Sequence, residues 1–398
     1  MAEKKPAFIA ALLILVSLTL AIFPVTAHAL EPVVLDEKTL TGTPIGLNIE
    51  YIRDETGKLT IDDILLEEKN GSLKWTASID KSPSFGYIPD AVWIKFTARN
   101  IEIQEKEWYL EVGYSHLDHV DLYIPSKNNT YTLKKEGYYK PFYEREYVYR
   151  NFIFPLVQKP GDQVYYVRIK STGSILVPIA IWSRRLLAEK INNELMIFGL
   201  LFGVLLVMIL YNLFLFISVR DIDFLWYVLL VITYTIFLST VKGIGFQYLW
   251  PTLPFLNNNF IVNNHAMAIT TYLFIRSFLK IKYIAPSINR IIIINIIIHT
   301  SIILISSFIP YRYGVRLAAL GVFIATCIIL SITLYCMIRK VNFSGYLTLS
   351  TLPLLISIII TVSKYLGFIS SNIITEWSSD FGFILMTVLF SFVVGNKI

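Results

Sequence analysis

The side chains best suited to chemistry fall in one short run, Tyr114-Ser115-His116-Leu117-Asp118-His119-Val120-Asp121. Imidazoles and carboxylates this close together are the types that hold a transition metal. On an extended strand, however, side chains alternate, so His116 and Asp118 share one face and His119 and Asp121 the other. The four do not converge without a bulge, and no metal site is expected. Two readings remain: an edge that hydrogen-bonds a polyol or a hard cation through Tyr114, His116 and Asp118, or ordinary strand and turn residues.

A second group lies within long apolar segments: Asn212, Asn263, Asn264, His265, Asn295 and His299. At membrane depth such groups either form a buried switch or hold helices together by interhelical hydrogen bonds. On the switch reading Asn212, Asn264, His265 and His299 transmit the signal. No Asp or Glu lies in the middle of these segments, which counts against a proton- or sodium-coupled transporter. The last segment has no lysine before Lys397, which removes a retinal Schiff base. The sequence has no phosphate loop, nucleophile elbow or His-Glu-x-x-His pair, so neither enzyme activity nor a cofactor is expected. Gly243 and Gly245, ahead of Trp250-Pro251, read as a structured cap or as a docking place for the exported part.

These residues need elements to position them. Lys4-Lys5, the apolar run from Ala7 to Phe23 and Ala27-His28-Ala29 follow the order of a signal peptide, which predicts cleavage after Ala29. An uncleaved anchor would export the rest equally. Over residues 30–183 the apolar period is two: Val92, Ile94, Phe96 and Ala98 face one way, and Trp93, Lys95, Thr97 and Arg99 the other. Turn signals at Asn70-Gly71, Pro83-Ser84, Lys127-Asn128-Asn129, Lys159-Pro160-Gly161 and Ser171-Thr172-Gly173 separate short strands, the spacing of an all-β antiparallel sandwich or jelly roll.

Residues 184–193 read as a juxtamembrane linker, and residues 194–398 as an all-α bundle of seven transmembrane helices near 194–218, 223–241, 259–279, 290–309, 315–338, 344–364 and 380–396. Arg220, Arg276, Lys280, Lys282, Arg290, Arg339, Lys340 and Lys397 fall at one set of loop ends, against Lys242, Arg312, Arg316 and Lys364 at the other. Arg184, Arg185 and Lys190, just outside the first helix, argue the other way, but a signal peptide and a translocated domain override them. This bias predicts a multi-pass protein of the inner (plasma) membrane, with an extracellular or periplasmic N-terminal domain and a cytoplasmic C-terminus.

With 55% hydrophobic and 16% charged residues, the 398-residue chain is too apolar for a soluble protein. Its net charge of +6 is scattered, which suits anionic lipid headgroups better than nucleic acid. Both cysteines, Cys327 and Cys336, fall in one apolar segment, so the exported domain must be stable without disulfides.

Particular stretches resemble a known family. In the exported part these are Ala91-Val92-Trp93-Ile94-Lys95-Phe96, Trp108-Tyr109-Leu110-Glu111, Leu117-Asp118-His119-Val120-Asp121-Leu122-Tyr123, Phe152-Ile153-Phe154-Pro155-Leu156 and Tyr166-Val167-Arg168-Ile169, followed by Pro178 and Trp182. In the bundle they are Tyr211-Asn212-Leu213-Phe214-Leu215-Phe216 with Arg220-Asp221, the run Gly243 to Pro251, Arg276-Ser277-Phe278-Leu279, and the span from Leu366-Gly367 to Ile398. They resemble the bacterial seven-transmembrane receptors with diverse intracellular signalling modules and the second type of extracellular domain in that family.

The resemblance implies a jelly-roll-like domain that binds carbohydrates or other small molecules, and a bundle that signals to a cytoplasmic effector. A sugar-binding face needs an aromatic platform and planar polar groups, for which Trp93, Arg150 and Arg168 are candidates beside the Tyr114 cluster. The sequence stops at Ile398, where the family pattern would continue into an effector, so a separate cytoplasmic signalling protein is the expected partner. A lipid bilayer and a small-molecule or carbohydrate ligand are the others, and a homodimer is left open. The competing readings are a permease or channel with an accessory solute-binding domain, and a structural envelope protein.

Overall fold

The computed structural model describes residues 30–37, 42, 44–126, 130–365, 368–369 and 372–395. The expected signal peptide, the turn at 127–129, Leu366-Gly367 and the terminal Asn396-Lys397-Ile398 lie outside the described residues. The N-terminal half is built from β1 (Val33–Leu35), β2 (Ile49–Asp54), β3 (Thr76–Ala77), β4 (Ser84–Gly86), β5 (Ala91–Asn100), β6 (Lys106–Val112), β7 (His119–Pro125), β8 (Tyr131–Glu136), β9 (Phe152–Gln158), β10 (Gly161–Lys170), β11 (Ile175–Leu176) and β12 (Ile179–Trp182).

The larger sheet runs β3-β2-β5-β10-β7-β8, with β1 parallel to β5, and the smaller runs β12-β6-β9. Ile94, Phe96 and Val167 of the first pack against Trp108, Leu110 and Phe154 of the second in one core. Alternation along β5 and β10 aims these residues inward, so the two sheets form a sandwich.

The domain is not purely β. Helix α1 (Ile61–Lys69) occupies the stretch before Trp75. Thr60 opens it with a capping box: Asp63 N–H donates to the Thr60 hydroxyl at 3.3 Å, and the Thr60 N–H donates to the Asp63 carboxylate at 2.9 Å. The helix lies on the outer face of the larger sheet, where Ile64 clusters with Trp93, Tyr123 and Tyr166. Tyr166 ties it down by donating to Glu68 at 2.8 Å. This corrects the reading of β5 as half exposed: Trp93 is 0% accessible because a helix covers the face it points to.

The C-terminal half comprises α2 (Arg184–Val219), α3 (Ile222–Val241), α4 (Ile244–Tyr248), α5 (Phe260–Phe278), α6 (Ile281–Ile284), α7 (Pro286–Ile305), α8 (Tyr311–Ile338), α9 (Ser344–Tyr365) and α10 (Ile373–Gly395). The seven long helices coincide with the seven apolar blocks. Among the described residues, six are long and apolar enough to cross a membrane on length and composition. The exception is α5, diluted by Asn263, Asn264 and His265; it packs against α3, α7 and α8, and Asn264 and His265 are buried. Polar groups on a helix with neighbours on several sides find partners there rather than facing lipid.

Residues 184–193 are the first turns of α2 and not an irregular linker. Ser183 alone separates β12 from the helix, and its hydroxyl caps it by accepting from Leu186 N–H at 3.3 Å. The last strand of the smaller sheet therefore runs straight into the first long helix.

Candidate functional site

A dense polar network lies where the β domain meets the bundle. Glu111 on β6 is a carboxylate within the buried Trp108–Val112 half of the strand and is 3% exposed. It accepts from Asn151 at 2.7 Å, Trp182 Nε1 at 2.8 Å and Lys190 Nζ at 2.7 Å. Lys190 also pairs with Glu194 one turn along α2, at 2.8 Å. Glu194 in turn takes Arg150 Nη2 at 2.6 Å and Nε at 3.2 Å, and the Tyr149 hydroxyl. The remaining Arg150 nitrogen reaches the carbonyl of Lys242, just past α3, at 3.3 Å. Lys242 Nζ closes the chain on Asp380 of α10 at 2.6 Å.

Arg150 is held in place by its neighbour. Arg145 Nη1 donates to the carbonyls of Tyr149 and Arg150, both at 2.8 Å, and its guanidinium lies 4.7 Å from the Phe142 ring and 4.6 Å from that of Phe152. Burial pulls the Arg145 pKa down to about 10, against the opposing pull of Glu136. Burial is the strongest single influence on Arg150 and opposes its charge, but the Glu194 carboxylate together with Tyr149 and Glu111 outweighs it, and the guanidinium is more basic than usual.

Around this chain the two halves are stitched together. Phe142 N–H donates to the Pro251 carbonyl at 2.8 Å, and its ring meets Phe246 edge-on at 5.3 Å. Tyr138 bonds Asn258, and Arg316 donates to the Tyr87 carbonyl at 2.5 Å. The loop from Gly243 to Pro251 is thus where the domain docks. Gly243 has φ +72°, and a Cβ there would stand 3.0 Å from Ser115. A side chain on Gly245 would overlap the Trp250 ring.

A cavity of about 150 Å³ lies in the same junction. Tyr87, Tyr114, His116 and Ser174 line it from the β domain, and Phe237, Leu238, Val315, Val322, Asp380 and Phe383 from the bundle.

The residues singled out from the sequence scatter. His116 and Asp118 do not sit on a strand, because the turn at residues 115–118 precedes β7. His116 faces the cavity beside Tyr114, their rings 5.9 Å apart, and burial takes its pKa down to about 4. Asp118 is a loop tie, accepting from Thr172 N–H at 2.6 Å and from the Thr172 hydroxyl at 2.7 Å; burial raises its pKa against these bonds. Trp93 is corrected from a candidate platform to a core residue, stacked on Tyr123 at 5.3 Å. Arg168 is engaged by Asp121 at 3.5 Å and by the Gly57 carbonyl at 2.8 Å. Among the described residues, no three His, Cys, Asp or Glu side chains are grouped as a metal ion would need.

In the bundle, Asn212 links α2 to α10 by donating to the Ser391 hydroxyl at 3.1 Å. His265 and His299 meet at 2.7 Å between their Nδ1 atoms, joining α5 to α7, and Asn264 borders the cavity. Sequence reasoning missed Glu111, Lys190, Glu194, Lys242 and Asp380. The available signals were a carboxylate following the apolar run Trp108-Tyr109-Leu110 and another at the edge of an apolar block.

Residues 194–397 match the family model described as 7TM diverse intracellular signalling, and residues 46–183 match the one described as 7TMR-DISM extracellular 2. No curated protein matches the chain.

Proposed function

The chain belongs to the 7TM diverse intracellular signalling family, a membrane receptor with an extracellular domain ahead of its helices, and from that premise we propose how it signals. A small-molecule or carbohydrate ligand shifts the β domain against the outer end of the bundle, and the first and last helices carry the shift to a separate cytoplasmic protein. The chain itself has no enzymatic role, and its C-terminus lies in the cytoplasm.

The observation that carries this reading is the run of charges Glu111–Lys190–Glu194–Arg150, continued through Lys242 to Asp380. It joins the β domain to α2, to the end of α3 and to α10. Because these groups are shielded, a displacement of one leaves the others uncompensated, which favours two discrete packings over gradual deformation. The strand-to-helix continuity at Ser183 adds a direct lever.

The test places spin labels at Val219 and Phe392, far along α2 and α10, in a background with Cys327 and Cys336 replaced. Arg150→Glu should shift the distance distribution between them, and Arg150→Glu combined with Glu194→Arg should restore part of it. An unchanged distribution in the single variant would defeat the proposal. Uptake of solute into vesicles by the purified protein would favour a permease instead.

A further inference from the structure

The junction cavity also says what kind of molecule fits it, which deepens the receptor reading and rests on it for the ligand's effect, though not for its binding. Its floor is mostly apolar, formed by Phe237, Leu238, Val315, Ala319, Val322 and Phe383, with Asn264, Thr361, Ser379 and Asp380 at its margins. At about 150 Å³ it matches in size the apolar cavities that take up benzene, so an occupant has roughly six to ten heavy atoms.

Its ceiling is different. His116 Nε2 and Ser174 Oγ are both buried and, among the described residues, have no hydrogen-bond partner, and Ser174 as a whole is only 3% exposed. They belong to one patch, because the Ser171 hydroxyl donates to the His116 carbonyl at 3.4 Å and brings the 171–174 turn against residue 116. Two orphaned polar atoms over an apolar floor are a recognition pattern that a hydroxyl completes, since it donates to one and accepts from the other.

Charge narrows the class further. Asp380 borders the cavity, but Lys242 holds it at 2.6 Å, so a cationic occupant would have to break that pair. His116 stays neutral well below physiological pH and offers an acid no counter-charge. We propose that this cavity binds a small uncharged alcohol or phenol, its hydroxyl between His116 Nε2 and Ser174 Oγ and its apolar body among the bundle side chains.

Binding is tested on the full chain in lipid nanodiscs with p-cresol and toluene, which differ by one hydroxyl, read by thermal shift and by saturation-transfer NMR. p-Cresol should bind about three- to ten-fold more tightly than toluene, the gain expected of one neutral hydrogen bond to a buried group. Ser174→Ala should shrink that ratio toward one. Ala319→Phe, which fills the floor, should abolish saturation transfer to both; Val322→Leu is the milder filling variant if the first does not fold, and should weaken both. Equal binding of the two probes, or undiminished binding in a folded filling variant, would overturn the proposal. No signalling output is read, so failure here leaves the coupling proposal standing, and failure of that proposal leaves this binding result intact.

Discussion

Arg150 of the β domain donates to Glu194 of the first long helix at 2.6 Å, with only 13% and 18% of the two side chains exposed. A pair this shielded differs from a surface ion pair, because removing one partner leaves the other charge poorly solvated.

Arg150→Ala and Glu194→Gln should therefore each weaken the attachment of the β domain by about 2–4 kcal/mol, and the double variant should cost less than the sum. A double-mutant cycle on thermal unfolding in nanodiscs measures this. Strict additivity would mean that the two residues do not interact.

His116 gives a pH dependence with a definite sign. Burial holds its folded pKa at about 4, below the ordinary value of 6.5. The unfolded chain takes up the proton first as pH falls, so the contribution is complete above about pH 6.5 and is lost between there and about 4. The difference between wild type and His116→Phe should fall by about 3 kcal/mol over that window. A pH-independent difference would show that the imidazole is not shielded.

Gly243 combines a left-handed backbone with close approach to Ser115. Gly243→Val meets both the αL penalty and the clash, and should cost at least about 2 kcal/mol. The loss should appear as faster proteolysis at the junction, while the β sandwich keeps its strand signature in circular dichroism. A wild-type digestion rate would mean that the loop does not fix the docking.

Orientation is checked by labelling. With the native cysteines replaced, a cysteine at Ser126 should react with an impermeant reagent in outer-membrane-permeabilised cells, and one at Asn342 should not. The reverse pattern would invert the topology argued from arginine and lysine.

Trp93 and Arg150 mark the boundary between what was legible in the sequence and what was not. The β5 alternation identified Val92, Ile94 and Phe96 as core, and each is buried. It could not place Trp93, because what covers that face is α1, whose Ile64 comes from an earlier stretch with no strand periodicity of its own. Arg150 was picked out for its fork of donors, but its partner lies 44 residues on, in a helix whose lysines and arginines were read only as topological signals.

The sequence by itself determined the period-two strands, the turns between them and the seven apolar blocks, because each depends on local spacing and on burial of one face or one length of chain. The family resemblance carried by those stretches held for both halves. Only the tertiary structure decided which charges meet at the junction, which polar atoms are left facing the cavity, and that β12 runs into α2 through one residue. Those depend on how two separately patterned halves dock, and docking is set by side chains far apart in sequence whose pairing leaves no periodic trace.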